Sequence, residues 1–384
     1  MAHYRWVVGD LRTGKINRTI DLPSGDWSTD IEDDGSLGGT ADLSSREWRW
    51  SRADAAPGKC FLAVAYVDGF GAEHWKAGGP IWTAKFNDAA STLTLGAAAL
   101  SSYFDHRKVM PVLAASANPA KAHTNYETAR LELIAKRLIE DSRAHVGGDL
   151  PIVFPTDEEL GGEGTERVRN YLGYELGWVG TRLRQLSEVI GGPEFQFEPR
   201  RRADDPRFME WYMRLGTADS GMLLDQGAGE WVFDRSVPKS PITDIDVDID
   251  GSVVSFRSWA PGQGEGEGRP IVYEQDLSRV TGEGWALLES EVSSLDTVSV
   301  ESTLRGHART DLAARAKPIE TWTLKVDRDA EPHVGRYRAG DWCVVRVRDH
   351  IYIPDGDYGM RIVAIGARGT DPVEVSMAPR MGDY

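Results

Sequence analysis

The chain has 384 residues, 41% of them apolar, with 60 acidic side chains against 44 basic ones and a formal charge of −16. That balance opposes nonspecific nucleic-acid binding, which rests on positive charge, and docking on an anionic membrane. No stretch approaches the ~20 apolar residues of a membrane span.

A chain of this length suggests two or three domains and buries about 75% of its unfolded surface when compact, so it needs no staples. Its 41 glycines and 13 tryptophans favour a turn-rich β protein. Cys60 and Cys343 are the only cysteines. Two thiols so far apart make neither a disulfide framework nor a metal site, and both are expected reduced and partly buried. The start, MAHYRWVVGD, lacks the apolar core of a signal peptide. Synthesis and assembly in a cytoplasm are therefore expected.

The first element is a hairpin over "VVGDLRTGKINRTIDL" (7–22). Gly14 suits the φ > 0 corner of its turn. Ile16, Ile20 and Leu22 share one strand face, and Asn17, Thr19 and Asp21 the other. Thr19 to Ser45 holds seven acidic residues and no basic one, which predicts an exposed acidic loop system. "CFLAVAYVDG" (60–69), "GPIWTAKFND" (79–88) and "STLTLGA" (91–97) are short strand-like runs bounded by turn residues. "AALSSYFDHRKV" (98–109) predicts one or two helical turns.

The next block mixes element types. In "AHTNYETARLELIAKRLIEDSRAH" (122–145), Thr124 with Glu127 reads as a capping box. Leu131, Ile134, Ala135 and Leu138 follow a helical stripe that Gly147 and Gly148 end. "DEELGGEGTE" (157–166) is a loop. A second helix is expected at 181–190, with Leu183, Leu186 and Ile190 on one face and Gly191 as its stop. Strands follow at 193–199 and 207–217, joined by a loop carrying Arg200, Arg201 and Arg202. Short strands return over 241–300, and a third helix at 304–317 stops at Pro318. "TWTLKVD" (321–327) alternates cleanly, and "GDWCVVRVRD" (340–349), "YGMRIVAIGA" (358–367) and "PVEVSMAP" (372–379) continue at the spacing of a small sandwich or barrel.

The chemical motifs resolve into structure. Asp246, Asp248, Asp250 and Gly251 match the opening of a calcium loop, but the twelfth position, which needs a bidentate Glu, is Arg257. Alternation accounts for the string, with Ile245, Val247 and Ile249 facing a core. The glycines at 262–268 lack the spacing and context of a phosphate loop, and Glu265 and Glu267 would repel phosphate, so an exposed, mobile loop is expected. The eight histidines form no zinc string, and no nucleophile elbow occurs. No catalytic, cofactor-binding or metal residue is therefore assigned, and no cofactor. Arg200–Arg202 with Arg207 are candidates for gripping an acidic partner, against the plainer reading of a solvated loop tip. Trp48 with Trp50, and Trp211 with Tyr212, are candidate interface aromatics beside the simpler reading of core packing.

"DLRTGKINRTIDLPSGDWS" (10–28), "GPIWTAKFNDAASTLTLGAAALSSYFDHRKV" (79–109), "KPIETWTLKVD" (317–327), "VGRYRAGDWCVVRV" (334–347) and "RIVAIGARGTDPVEVSMAP" (361–379) occur in an order that resembles minor tail proteins of long-tailed phages infecting actinobacteria. Such proteins are similar to the baseplate hub, or tail-associated hub. The resemblance implies a homotrimer at the tip of the tail tube, with β-barrel domains lining a DNA channel and α/β insertions outside. The implied partners are a distal tail protein, the tape-measure protein, and tail fibre or receptor-binding proteins, with DNA only passing through and no membrane anchor. Some hubs carry a C-terminal peptidase or glycan hydrolase, which is not expected here.

The resulting expectation is a β-rich α+β protein. Its segments are a barrel-like part at 1–115, an α+β insertion at 116–240, a β-rich segment ending in a helix at 241–317, and a small barrel-like part at 318–384. It serves as a structural tail hub and not as an enzyme. The alternatives are a carbohydrate-binding adhesion module of the tail tip and a cell-wall hydrolase using a carboxylate pair.

Overall fold

The computed structural model describes residues 2–31, 34–44, 51–160, 166–189, 191–217, 231–293 and 298–379. It is a β-rich α+β protein, the class expected from the sequence. The chain forms two compact units, one of residues 1–245 with 323–384 and one of residues 246–322. Among the described residues no helix is long and apolar enough to cross a membrane.

The opening hairpin forms as expected, β1 (His3–Asp10) against β2 (Ile16–Ile20). Gly14 takes φ +74° at its turn, and Ile20 and Leu22 are buried while Asn17, Thr19 and Asp21 are exposed. The acidic span after it is not a loop system. It contains β3 (Asp26–Asp30) and β4 (Ser36–Asp42), because Trp27, Leu37 and Ala41 supply buried anchors that outweigh the acidic surface. Next come β5 (Cys60–Val67), β6 (Glu73–Asn87) and β7 (Thr92–Ala98). Every residue of β5 is buried, as suits a strand covered on both faces. β6 is long enough to serve two partners: Glu73–Pro80 pairs with β5, then, past an irregularity near Ile81, its second half pairs with β7. A 3-10 helix at Leu100–His106 follows.

The middle block departs from the sequence expectation at its start. Thr124 and Glu127 lie in a strand, β8 (Thr124–Ala129), and α1 begins only at Leu131 and runs to Arg143 with no side-chain cap. The capping-box string is equally compatible with a strand, and β10 (Arg167–Tyr171) supplies the ladder that decides it. The helical stripe itself holds: Leu131, Ile134, Ala135 and Leu138 are buried. A short β9 (Ile152–Val153) precedes β10; α2 (Val179–Ser187), β11 (Glu194–Arg201) and β12 (Met209–Gly216) complete the block. Ile190 lies outside the described residues. This block does not make a separate core. Val7 of β1 and Phe61 and Ala63 of β5 join Leu138, Leu183, Trp211 and Met213 in one apolar cluster.

After β13 (Trp231–Asp234) comes β14 (Ile242–Asp250). Its aspartates face water as expected, but Ile249 is 48% exposed and Ile245 and Val247 are only half-buried, so its apolar row does not enter a core. The smaller unit holds β15 (Arg257–Pro261), β16 (Ile271–Gln275), a short α3 (Ser278–Gly282), β17 (Glu289–Glu291) and α4 (Glu301–Ala314). Leu304 and Ala308 of α4 pack on Ala260 and Val272. The Gly262–Gly268 loop is exposed from Gln263 to Gly268.

The last strands are β18 (Ile319–Val326), β19 (Trp342–Val347), β20 (Gly356–Arg368) and β21 (Val373–Pro379). Trp322, Leu324 and Val326 are buried, as alternation predicted. β20 pairs in turn with β19, β21 and β3, so the C-terminal strands join the N-terminal ones in a single thirteen-stranded sheet among the described residues. Cys60 and Cys343 are both free and buried.

Candidate functional site

A groove of about 390 Å³ runs along the larger unit, lined by β6, β11 and the segment before β19; its walls include Glu73, His74, Lys76, Glu198, Tyr337 and Arg338. Glu198 on β11 lies opposite Tyr212 of β12 in the ladder, and Lys76 directly precedes the buried run Ala77–Ile81 of β6.

Charge in the groove is paired internally. Glu73 accepts from Arg201 Nε at 2.7 Å and also from Arg5. Burial works against its charge, but the two guanidiniums hold the Glu73 carboxyl below the usual range. Glu198 accepts from Arg214 at 3.0 Å and Arg338 at 3.1 Å. Arg214 is 4% exposed, and its burial pulls its basicity down. Lys76 donates to the Tyr337 carbonyl at 3.0 Å, and burial pulls its ammonium down to about 8, with Glu198 acting in the opposite direction.

Asp341 sits beneath this network at 1% exposure. Trp231 Nε1 donates to it at 2.9 Å and the Arg338 backbone N–H at 3.1 Å, while burial raises its carboxyl above the ordinary value. A general acid needs such a raised pKa, but it also needs access to substrate. A carboxyl walled in by Trp231 and Arg338 has none.

The arginine run does not form a free basic grip. Arg200 pairs with Glu210, Arg201 with Glu73, Arg202 with Asp204 and Arg207 with Asp205, at 2.5–2.7 Å. Each of the four arginines makes an ion pair inside the chain, Arg201 sharing Glu73 with Arg5, and Arg200 and Arg201 belong to β11 and not to a loop. Trp211 is buried, at 0% exposure, edge-on to Phe61 with ring centroids 5.3 Å apart, so it is core. Tyr212 is half-buried under the Arg200 guanidinium, 4.9 Å from its ring. Trp48 and Trp50 lie outside the described residues.

Beside the groove the fold assembles residues that no local string marked. Asp68, His74 and His333 each present an atom of ligand type within 4.8 Å of the others. Asp68 Oδ2 lies 3.2 Å from His74 Nε2. His333 packs edge-on to His74, centroids 5.4 Å apart, and lies against Tyr66 at 5.6 Å. Tyr66 in turn donates to Asp329 at 2.8 Å. Asp68 and His74 bracket a hairpin turn, which is the one local signal available; His333 comes from a distant segment.

No protein-family model matches the chain, and no curated protein matches it. Solved structures do. The tail protein from Neisseria meningitidis MC58 aligns with TM-score 0.58 and 14% identity over 99% of this chain and 97% of that one. The 43 kDa tail protein of prophage MuSo2 from Shewanella oneidensis aligns with TM-score 0.57 and 12% identity over 98% of each chain. A chain of the Francisella PdpA–VgrG complex aligns with TM-score 0.54 and 9% identity over 99% of this chain and 58% of its own. At these identities the likeness is one of fold: from end to end, this chain shares the fold of the two tail proteins.

Proposed function

We propose that the chain is a structural tail component, the hub at the tip of a phage tail tube. The observation that carries this reading is the completeness of the fold likeness. Both tail proteins match over nearly all of their own length and of this chain. A domain borrowed into an unrelated enzyme would leave much of one chain unmatched.

In this reading the protein is a homotrimer of the virion tail tip, assembled in a host cytoplasm. The 1–115 and 318–384 segments build the ring, 116–240 forms an outer insertion, and 241–317 a β-rich segment between. Partners are the distal tail protein, the tape-measure protein and tail fibre or receptor-binding proteins. The charge of −16 supports a channel through which DNA passes without adhering. No catalytic activity and no cofactor belong to the proposal. The sequence resemblance to actinobacterial long-tailed phage proteins is part of it.

Native mass measurement and negative-stain class averages of the purified chain test it. Threefold rings with a central hole are expected, at three times the 42.4 kDa subunit mass. Monomeric, asymmetric particles at every concentration, also in the presence of a distal tail protein, overturn it.

A second reading, a glycan-binding module of the tail tip, rests on Trp259 and Tyr273. They are cross-strand neighbours with ring centroids 4.9 Å apart, and Tyr273 is 45% exposed. Retention on purified host wall, lost in Tyr273→Ala, would favour it.

A further inference from the structure

Two imidazoles and a carboxylate from separate parts of the chain converge in the larger unit. Asp68 Oδ2 and His74 Nε2 stand 3.2 Å apart. Two ligands on a tetrahedral metal with bonds of about 2.0–2.1 Å lie about 3.3 Å from each other. This pair therefore already has the spacing of a coordination edge. The third ligand atom, from His333, lies within 4.8 Å of both, and a side-chain adjustment of about 1.5 Å closes the triangle.

The carboxylate is held ready. Its Oδ1 accepts from the backbone N–H groups of Phe70 at 2.8 Å and Ala72 at 2.9 Å, which leaves Oδ2 turned toward His74. All three residues are half-buried, so water can complete the coordination. Two nitrogens and one carboxylate oxygen suit first-row transition metals better than Mg²⁺ or Ca²⁺, which take oxygen ligands.

We propose that Asp68, His74 and His333 form a binding site for a divalent first-row transition metal, with Zn²⁺ as its natural probe. The site ties the turn between β5 and β6 to the segment preceding β19. It stands independently of any assembly the chain enters. In the metal-free chain His74 Nε2–H donates to Asp68, and the Gly335 N–H donates to His333 Nδ1 at 3.1 Å. Metal binding at His74 Nε2 replaces its hydrogen bond to Asp68.

The test uses the full chain, stripped with a chelator and titrated calorimetrically with Zn²⁺ and separately with Co²⁺. One equivalent is expected to bind, with visible Co²⁺ absorption and a change in the imidazole ¹⁵N shifts of His74 and His333 on Zn²⁺ loading. His333→Ala and Asp68→Asn should each weaken binding by more than about tenfold, while His307→Ala, on the exposed side of α4, leaves it unchanged. Equal melting temperatures of the metal-free variants and the metal-free parent separate ligand loss from misfolding; a variant that melts early is replaced by His333→Asn. Absence of binding at millimolar Zn²⁺, or binding undiminished in the His333 and Asp68 variants, overturns the proposal.

Discussion

The indole nitrogen of Trp211 donates to the carbonyl of Gly78 at 2.9 Å, across 133 residues of sequence. The bond joins β12 of the middle block to β6 of the N-terminal sheet. It explains why the block shares a core with β1 and β5. Truncating Trp211 to Ala leaves a cavity against Phe61 and should cost about 3–5 kcal/mol. Trp211→Phe keeps most of the packing but loses this hydrogen bond, at about 1 kcal/mol. Urea unfolding monitored by far-UV circular dichroism checks the order of the two.

Gly14 makes a second contact between the same regions. Its carbonyl accepts from Met209 N at 2.7 Å, its φ is +74°, and a Cβ there would meet the Met209 carbonyl oxygen at 2.0 Å. Gly14→Ala must therefore both strain the turn and push the hairpin off β12. A loss of more than about 2 kcal/mol is expected. A melting temperature within a degree of the parent would contradict this account.

Lys76 makes stability depend on pH in an unusual direction. Burial lowers its folded pKa to about 8, below the ordinary lysine value of 10.5. Between these values the unfolded chain binds more protons, so stability rises with pH across that window. The full effect is at most about 3 kcal/mol. The tyrosines act oppositely near pH 10; burial, for example, pushes Tyr4 up to about 12. Urea midpoints at pH 7.5 and 9.5 should therefore differ between the parent and Lys76→Met. The gain on raising pH should appear in the parent and vanish in the variant.

In the smaller unit Asp311 pins α4 to its sheet. Ser258 and Ser290 donate to its Oδ2 at 2.7 and 2.6 Å, and Arg315 Nε to Oδ1 at 2.8 Å. Burial opposes the charge, but these donors hold the Asp311 carboxyl below its usual value. Its contribution is present above the unfolded carboxyl pKa and is lost as pH falls through the lower folded one. Asp311→Ala orphans two hydroxyls and should cost about 2–4 kcal/mol. Hydrogen exchange over 301–314 should accelerate, while β5 exchanges as in the parent.

Much of the fold was legible as local period. Ile16, Ile20 and Leu22 marked one face of the first hairpin, Trp322, Leu324 and Val326 the buried row of β18, and Leu131 to Leu138 the apolar stripe of α1. These signals survive because a strand or helix must bury one face, whatever lies opposite. Thr124 and Glu127 misled because their spacing suits both a helix cap and a strand. The choice belonged to a ladder with Tyr171, which the local string does not contain.

The candidate site was hidden for the same reason. Nothing near Arg201 in sequence announces Glu73, and nothing near His74 announces His333. The amino-acid sequence by itself determined the acidic character, the β-rich class and the faces of the elements, since each depends on composition or on spacing within one segment. Only the tertiary structure decided which charges were spent inside the chain, that Trp211 is core, and that Asp68, His74 and His333 meet. Those outcomes depend on partners brought together by strand pairing, and pairing is set by the whole sheet and not by any one of its strands.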